Sequence, residues 1–302
     1  MRFGIMAMQL DELLPSGVPS EQILANLGAF DHAKLVRGLA AHGFNPIELG
    51  GDLGTFLPEA FSPSTVQKLA LLRGKNLGYT VHLPLWSVEP STPLEPVRTG
   101  SVAAVIRILN ACRPIEPEVY VLHATGALAA EFYNMKISAS ARALILRQFQ
   151  EGARESLQAI LNSTGLPSRR LAIETIEFPL EMTLELAEEF DLSVCLDTGH
   201  VLAGFPGWFD LFEVLEKVLP RLAEVHLHDC RRMSPGVRGY GEDHKALGRG
   251  DLDLGRLLDR LEAGRFSGPL VFELSVPEAI ESLALVKSIR PNVLPQTERE
   301  VR

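Results

Sequence analysis

The stretch Leu171 to His200, LAIETIEFPLEMTLELAEEFDLSVCLDTGH, decides the fold. LAIET at its start and SVCL near its end are short apolar runs of strand length, predicting strands over Leu171 to Thr175 and Ser193 to Leu196. Between them, Pro179 to Phe190 has helical character, with Glu181, Glu185, Glu188 and Glu189 on a solvated face. Pro179 suits a first helical turn, where its missing amide proton has no intrahelical partner. A strand, a helix and a second strand within about 30 residues make one βαβ unit, which forces the two strands to be parallel.

The same alternation runs outward in both directions. Further strands are predicted over Phe3 to Ala7, Pro46 to Leu49, Tyr79 to Leu83, Val119 to His123, Glu224 to Leu227 and Leu270 to Leu274. Apolar residues at three-and-four spacing, such as Ile23, Leu24 and Leu27 or Leu211, Leu215, Val218 and Leu219, place helices between them. A last helix is expected over Val276 to Ile289, with Pro277 in its first turn. Eight βα units imply an α/β fold, a single (β/α)₈ TIM barrel, spanning residues 1–290. An open doubly wound sheet would carry a Gly-rich phosphate turn after its first strand, and MAMQLDELLPSG has no GxGxxG. The tail 291–302, PNVLPQTEREVR, is charged and without apolar period, so it is expected to fray or pack superficially.

At 302 residues and 46% hydrophobic composition, the chain can bury one large core. The net charge of −9 lacks the basic footprint of a protein that grips long nucleic acid, so nucleic acid is not the expected partner. No run approaches the roughly 18 apolar residues of a membrane span, and the N-terminus lacks a signal-peptide pattern. Cys112, Cys195 and Cys230 form no CxxC and cannot all pair, the usage of a reducing compartment. A cytoplasmic location without membrane contact is expected; oligomeric state is not legible.

Nine residues of metal-ligand type fall at or just beyond the ends of apolar runs: His82, His123, Glu174, Asp197, His200, His226, Glu242, His244 and Glu273. Barrel strands deliver their C-terminal residues to one face, where these enzymes place chemistry. A lone histidine at a strand end is usually structural, but five of the eight histidines belong to this set. His32, His42 and His228 are assigned structural roles, with His228 able to support the site from outside it. Glu174 and Glu273 follow LAI and LVF, where an unpaired buried carboxylate would be costly, and a cation is the economical compensation. Imidazole and carboxylate suit Zn²⁺ and Mn²⁺ alike.

Through VLHATG, AIETIE, VCLDTGH, EVHLHDC, EDHKALGRGDLD and VFELS, the chain resembles the xylose-isomerase-like barrels, which include endonuclease IV and sugar isomerases and epimerases. For a one-ion isomerase or epimerase, the resemblance implies Glu174, Asp197, His226 and Glu273 as ligands, with Glu174 and Glu273 as the proton-transfer pair. For endonuclease-IV-like phosphodiesterases, it implies two or three divalent ions. His82, His123 and Glu174 would hold the first; Glu174, Asp197, His226 and Glu273 the second; His200, Glu242 and His244 the third. The family's third-site aspartate is matched here by Glu242, or by Asp243 in a shifted register.

The long segments after the third and seventh strands are expected to set specificity. Trp86 in PLWSVEPSTPLEPVR offers a wall for a large rigid ligand, and Trp208 either lines another side or anchors its loop. Arg231, Arg232, Arg238 and Arg249 crowd one segment and could meet a phosphate, though a solvated basic loop accounts equally for Arg231 and Arg232. The Trp86 segment with GSVAAVIRILN looks like the cobamide-remodelling phosphodiesterases. The resulting expectation is a metal-dependent hydrolase cutting a small-molecule phosphodiester, first the nucleotide loop of a corrinoid. A one-metal sugar or inositol isomerase or epimerase comes second, an apurinic-site endonuclease third, and a non-catalytic metal-binding scaffold is the reading from another class.

Overall fold

Eight parallel strands close on themselves in sequence order to form a barrel. They are β1 (Arg2–Met6), β2 (Ile47–Gly50), β3 (Tyr79–His82), β4 (Tyr120–Leu122), β5 (Leu171–Glu174), β6 (Ser193–Asp197), β7 (Leu222–His226) and β8 (Pro269–Phe272). All eight coincide with the strands predicted from sequence, displaced by one or two residues at their ends. This computed structural model describes residues 1–9, 17–74, 77–234 and 242–291. Arg238, the tail beyond Pro291 and the Leu24 side chain lie outside the described residues.

Side chains alternate across each strand, and the alternation sorts them into two environments. Ile47 and Leu49, Leu171 and Ile173, Val194 and Leu196, and Leu270 and Phe272 join the main core beneath the helices. The opposite set points into the barrel, where Val119, Val121, Ala172 and Cys195 form a small cluster. That second set also carries the polar residues, and parallel pairing aligns them. Gly50 is opposite His82, Glu174 opposite Cys195, and Asp197 opposite His226.

The outer helices form for reasons visible in the chain. Leu254–Ala263 begins at Asp253, whose side chain accepts from the Arg256 amide. Its Leu254, Leu257, Leu258 and Leu261 make one buried stripe. Val276–Ile289 starts at a capping box of Ser275 and Glu278, with proline in its first turn as expected. Helix Leu180–Glu189 likewise follows Pro179.

The segment after β3 is fixed from several sides. Gly152, in helix Ala139–Thr164, lies so close that a Cβ would meet the Ser91 carbonyl oxygen at 2.3 Å. Ser156 of that helix donates to the Pro90 carbonyl. Buried Asp52 accepts from the Leu85 amide at 2.9 Å, and the Leu128 amide donates to Glu89 at 3.0 Å. The segment is thus held against the barrel mouth. No helix among the described residues is long and apolar enough to cross a membrane.

Candidate metal centre

Glu174, the last residue of β5, is the hub of the barrel's C-terminal face. Its Oε2 stands 3.2 Å from His82 Nε2 and 3.0 Å from His123 Nε2. Its Oε1 stands 3.2 Å from His200 Nδ1 and 3.4 Å from His226 Nδ1. One buried carboxylate therefore faces four imidazoles from four strand ends. His226 Nδ1 also stands 3.5 Å from Glu273 Oε1 and 3.8 Å from Asp197 Oδ2.

Two ligand sets follow. Donor atoms of His82, His123 and Glu174 all lie within 4.8 Å of one another, as do those of Glu174, Asp197, His226 and Glu273. These are the residues the sequence reading grouped around the first and second ions, with Glu174 common to both.

The third group departs from expectation. Glu242 is exposed, while Asp243 turns inward, its Oδ2 2.9 Å from His244 Nδ1 and 3.9 Å from His200 Nε2. The carboxylate beside His200 and His244 is therefore Asp243. The cause is local: His244 takes a left-handed backbone conformation, φ 57°, and its amide donates to His228 Nδ1 at 2.9 Å.

His228, given a structural role in the sequence reading but able there to support the site from outside it, packs against this group. Its ring stacks on His244 with centroids 4.1 Å apart and lies within ligand distance of His200. Because its Nδ1 accepts from the His244 amide, its proton sits on Nε2 and is donated to Asp197 Oδ2 at 2.8 Å. Both nitrogens are occupied, so His228 supports the site rather than ligating. A signal existed in HLHD, since His228 follows His226 at the period-two spacing that points both inward. Gly199 makes the arrangement possible, because a Cβ there would meet the His228 ring at 2.2 Å.

Asp197 serves two ends at once. Its Oδ1 accepts from the His200 amide at 2.6 Å, capping helix Thr198–Ala203, while Oδ2 faces the site. DTGH is thus a helix cap whose cap residue is also a candidate ligand.

The electrostatics have the character of a cation site. Burial alone would raise the Glu174 carboxyl, but the charges of His123 and His226 and the surrounding hydrogen bonds hold it well below the usual range. Glu273 is likewise lowered, by His226 and His244 against burial. The reciprocal effect appears on the imidazoles. Burial opposes their charge, but Glu174 pushes His82 up to about 9, Asp197 and Glu174 push His200 up to about 9, and Asp243 and Glu273 push His244 up to about 11. Protons here stand in for positive charge that a metal would supply. His226 shows the fit most directly: fully buried, it has no hydrogen-bond partner on either nitrogen, yet Nδ1 faces three carboxylates at ligand-like spacing. The donor set of imidazoles and carboxylates suits Zn²⁺ or Mn²⁺.

Clefts flank the centre on two sides. One, of about 250 Å³, runs from His123 and His200 to Trp86, Ile176 and Phe205. The other, of about 290 Å³, runs from His244 and Glu273 to Met8, Gln9 and Ser275. Trp86 stands where a ligand wall was expected, edge-on to Phe56 with centroids 6.0 Å apart. Trp208 packs over Gly204 and lines neither cleft, so it anchors its loop.

Among the described residues, the arginines of this segment do not converge on the site. Arg249 pairs with Glu281 at 2.8 Å on the surface, Arg232 faces Asp210 at 3.5 Å, and Arg231 is exposed. Among the described residues lining the two clefts, none is lysine or arginine. Sequence proximity drew these arginines together, but acidic residues far along the chain redirect Arg249 and Arg232. His32 is structural as expected, buried with Nδ1 3.0 Å from the Ala60 carbonyl oxygen.

Fold and site together define a parallel barrel with a candidate divalent-metal centre at its C-terminal face. The chain belongs to the xylose isomerase-like TIM barrel family, whose model matches residues 36–290. It is 22% identical over 261 residues to the uncharacterized protein MJ1311 of Methanocaldococcus jannaschii, covering 82% of this chain and 81% of that protein. Its fold is similar to that of a D-tagatose 3-epimerase-like protein, with TM-score 0.70 and 20% identity over 99% of each chain. It is similar as well to endonuclease IV from Thermus thermophilus, with TM-score 0.65, 19% identity and coverage of 97% and 100%. The same fold thus occurs in a D-tagatose 3-epimerase-like protein and in an endonuclease IV, and residues must decide between chemistries.

Proposed function

We propose that the protein is a metal-dependent phosphodiesterase acting on a small-molecule phosphodiester. The observation that carries this reading is the number of candidate ligands around Glu174. A one-ion isomerase or epimerase is served by Glu174, Asp197, His226 and Glu273, and has no use for His82, His123, His200 and His244 as ligands. Here those four imidazoles converge on the same carboxylates.

Divalent ions in such a centre lower the pKa of water and neutralise charge on the entering and leaving oxygens of an in-line displacement. His82, His123 and Glu174 would hold one ion; Glu174, Asp197, His226 and Glu273 a second; His200, Asp243 and His244 a third. Glu174 and Glu273 are the carboxylates placed by position to accept a proton from attacking water. His228 keeps Asp197 and the His244 turn in place. A diester has two arms, and a cleft on each side of the centre supports a substrate that spans it.

The cobamide nucleotide loop is the substrate to assay first, on the resemblance of the Trp86 segment and the largely apolar cleft beside His123. The absence of arginine from the described cleft linings and the net charge of −9 weigh against duplex DNA. The test is turnover by zinc- or manganese-reconstituted protein. Release of a base-ribose phosphate fragment from cobalamin supports the reading. Interconversion of free keto-sugars, lost in Glu273→Gln, transfers support to the isomerase reading, and nicking of abasic duplex to the endonuclease reading.

A further inference from the structure

Beneath the ligand tier lies a second buried polar tier inside the barrel. Glu48 of β2, Thr80 of β3 and Glu224 of β7 all point inward and are fully buried. Thr80 Oγ1 donates to Glu224 Oε1 at 3.0 Å. Neither oxygen of Glu48 has a hydrogen-bond partner, nor does Glu224 Oε2. Donor atoms of Glu48, Glu224 and His226 lie within 4.8 Å of one another. Two buried carboxyls side by side in a barrel interior, with the nearby Arg2 guanidinium hydrogen-bonded to Glu118, are expensive, so they call for a reason.

The reason offered by geometry is His226. Its Nδ1 faces Glu174, Asp197 and Glu273 above, and its Nε2 faces Glu48 Oε2 below at 3.4 Å. An imidazole bound to a metal through one nitrogen carries its proton on the other, and what accepts that proton fixes ring orientation and tautomer. We propose that Glu48 is the positioning residue for His226: its carboxylate takes the Nε2–H and thereby turns the Nδ1 lone pair toward Glu174, Asp197 and Glu273. The 3.4 Å separation is too long for a good hydrogen bond. A shift of a few tenths of an ångström closes it when Nδ1 is drawn to an ion. Glu224, held by Thr80, lies beside Glu48 on the same tier.

The inference rests on the metal-centre reading, and the experiment separates the two. Zinc is titrated against a chelator into full-length wild type, Glu48→Gln and Glu48→Met, and the His226 ring is observed by ¹⁵N NMR of histidine-labelled protein. Failure of wild type to bind zinc sinks the centre itself. If wild type binds zinc, Glu48→Met should weaken its second ion about 10- to 100-fold. Glu48→Gln, which retains an acceptor oxygen, should stay within about threefold. Melting without metal is recorded for each variant, so that affinity is compared only between proteins that fold. The zinc-loaded wild-type ring should carry its proton on Nε2, a readout that stands even if Glu48→Met fails to fold. Wild-type affinity in Glu48→Met, or a His226 proton on Nδ1 in the loaded wild type, overturns the proposal. So does loss of a zinc ion from Glu224→Gln, which would make the carboxyl pair a ligand set of its own.

Discussion

Replacing Glu174 with glutamine removes one negative charge from two ligand sets at once. The carboxylate lies 3.0 to 3.4 Å from His123, His82, His200 and His226, so no neighbour can substitute for it. Losing an outer support typically lowers metal affinity about 10- to 100-fold, and losing a shared anionic ligand should cost each ion at least the upper figure. At about 1.4 kcal/mol per tenfold, that is roughly 2.7 kcal/mol or more for each of two ions. Glutamine keeps the shape of the side chain, so the barrel should fold. The assay is elemental analysis after reconstitution and desalting, with chelator competition for affinity. The expected outcome is loss of the ions at His82/His123 and at Asp197/His226/Glu273, together with turnover. A Glu174→Gln protein with a full metal complement and wild-type turnover would refute the reasoning.

The remaining predictions probe other parts of the site. Gly199→Ala removes no ligand but drives a Cβ into the His228 ring, so the ion at His200, Asp243 and His244 and the ion held through Asp197 should each be weakened about 10- to 100-fold in metal titration, while the ion at His82 and His123 persists. Trp86→Ala should raise KM for the substrate several-fold without changing metal content, since Trp86 lines a cleft and is a member of no candidate ligand set. Stability of the metal-free protein should depend on pH. His82 and His200, with folded values near 9 against an unfolded value near 6.5, contribute stability that is complete below about pH 6.5 and lost as pH rises through 9. Melting in chelator should therefore fall across that window. Zinc-loaded protein, whose ligating imidazoles are already neutral, should not follow, and zinc binding at pH 7 should release protons measurable by calorimetry in buffers of different ionisation enthalpy.

The fold was legible because each strand is a short apolar run separated by a helical period, and because inward and outward residues alternate. Leu171 to His200 already contains a strand, its helix and the next strand. The same alternation made Glu174, Asp197 and His226 legible as one tier. Legibility ended where the chain leaves the strands. That the third carboxylate is Asp243 depends on a left-handed turn at His244 and an amide donated to His228, neither of which spacing encodes. Arg249 reads as a phosphate contact until Glu281, 32 positions away, is seen to hold it on the surface. Glu48 was missed because IELG reads as an ordinary apolar strand, and its partners Glu224 and His226 come from β7.

Metal stoichiometry tests the central claim most directly. Protein purified without chelator, and again after reconstitution with Zn²⁺ or Mn²⁺, should hold two or three ions per chain, with His82→Ala and His244→Ala each losing one. A single ion per chain that stays single after reconstitution and survives both substitutions would contradict the account and leave an isomerase-type centre of Glu174, Asp197, His226 and Glu273.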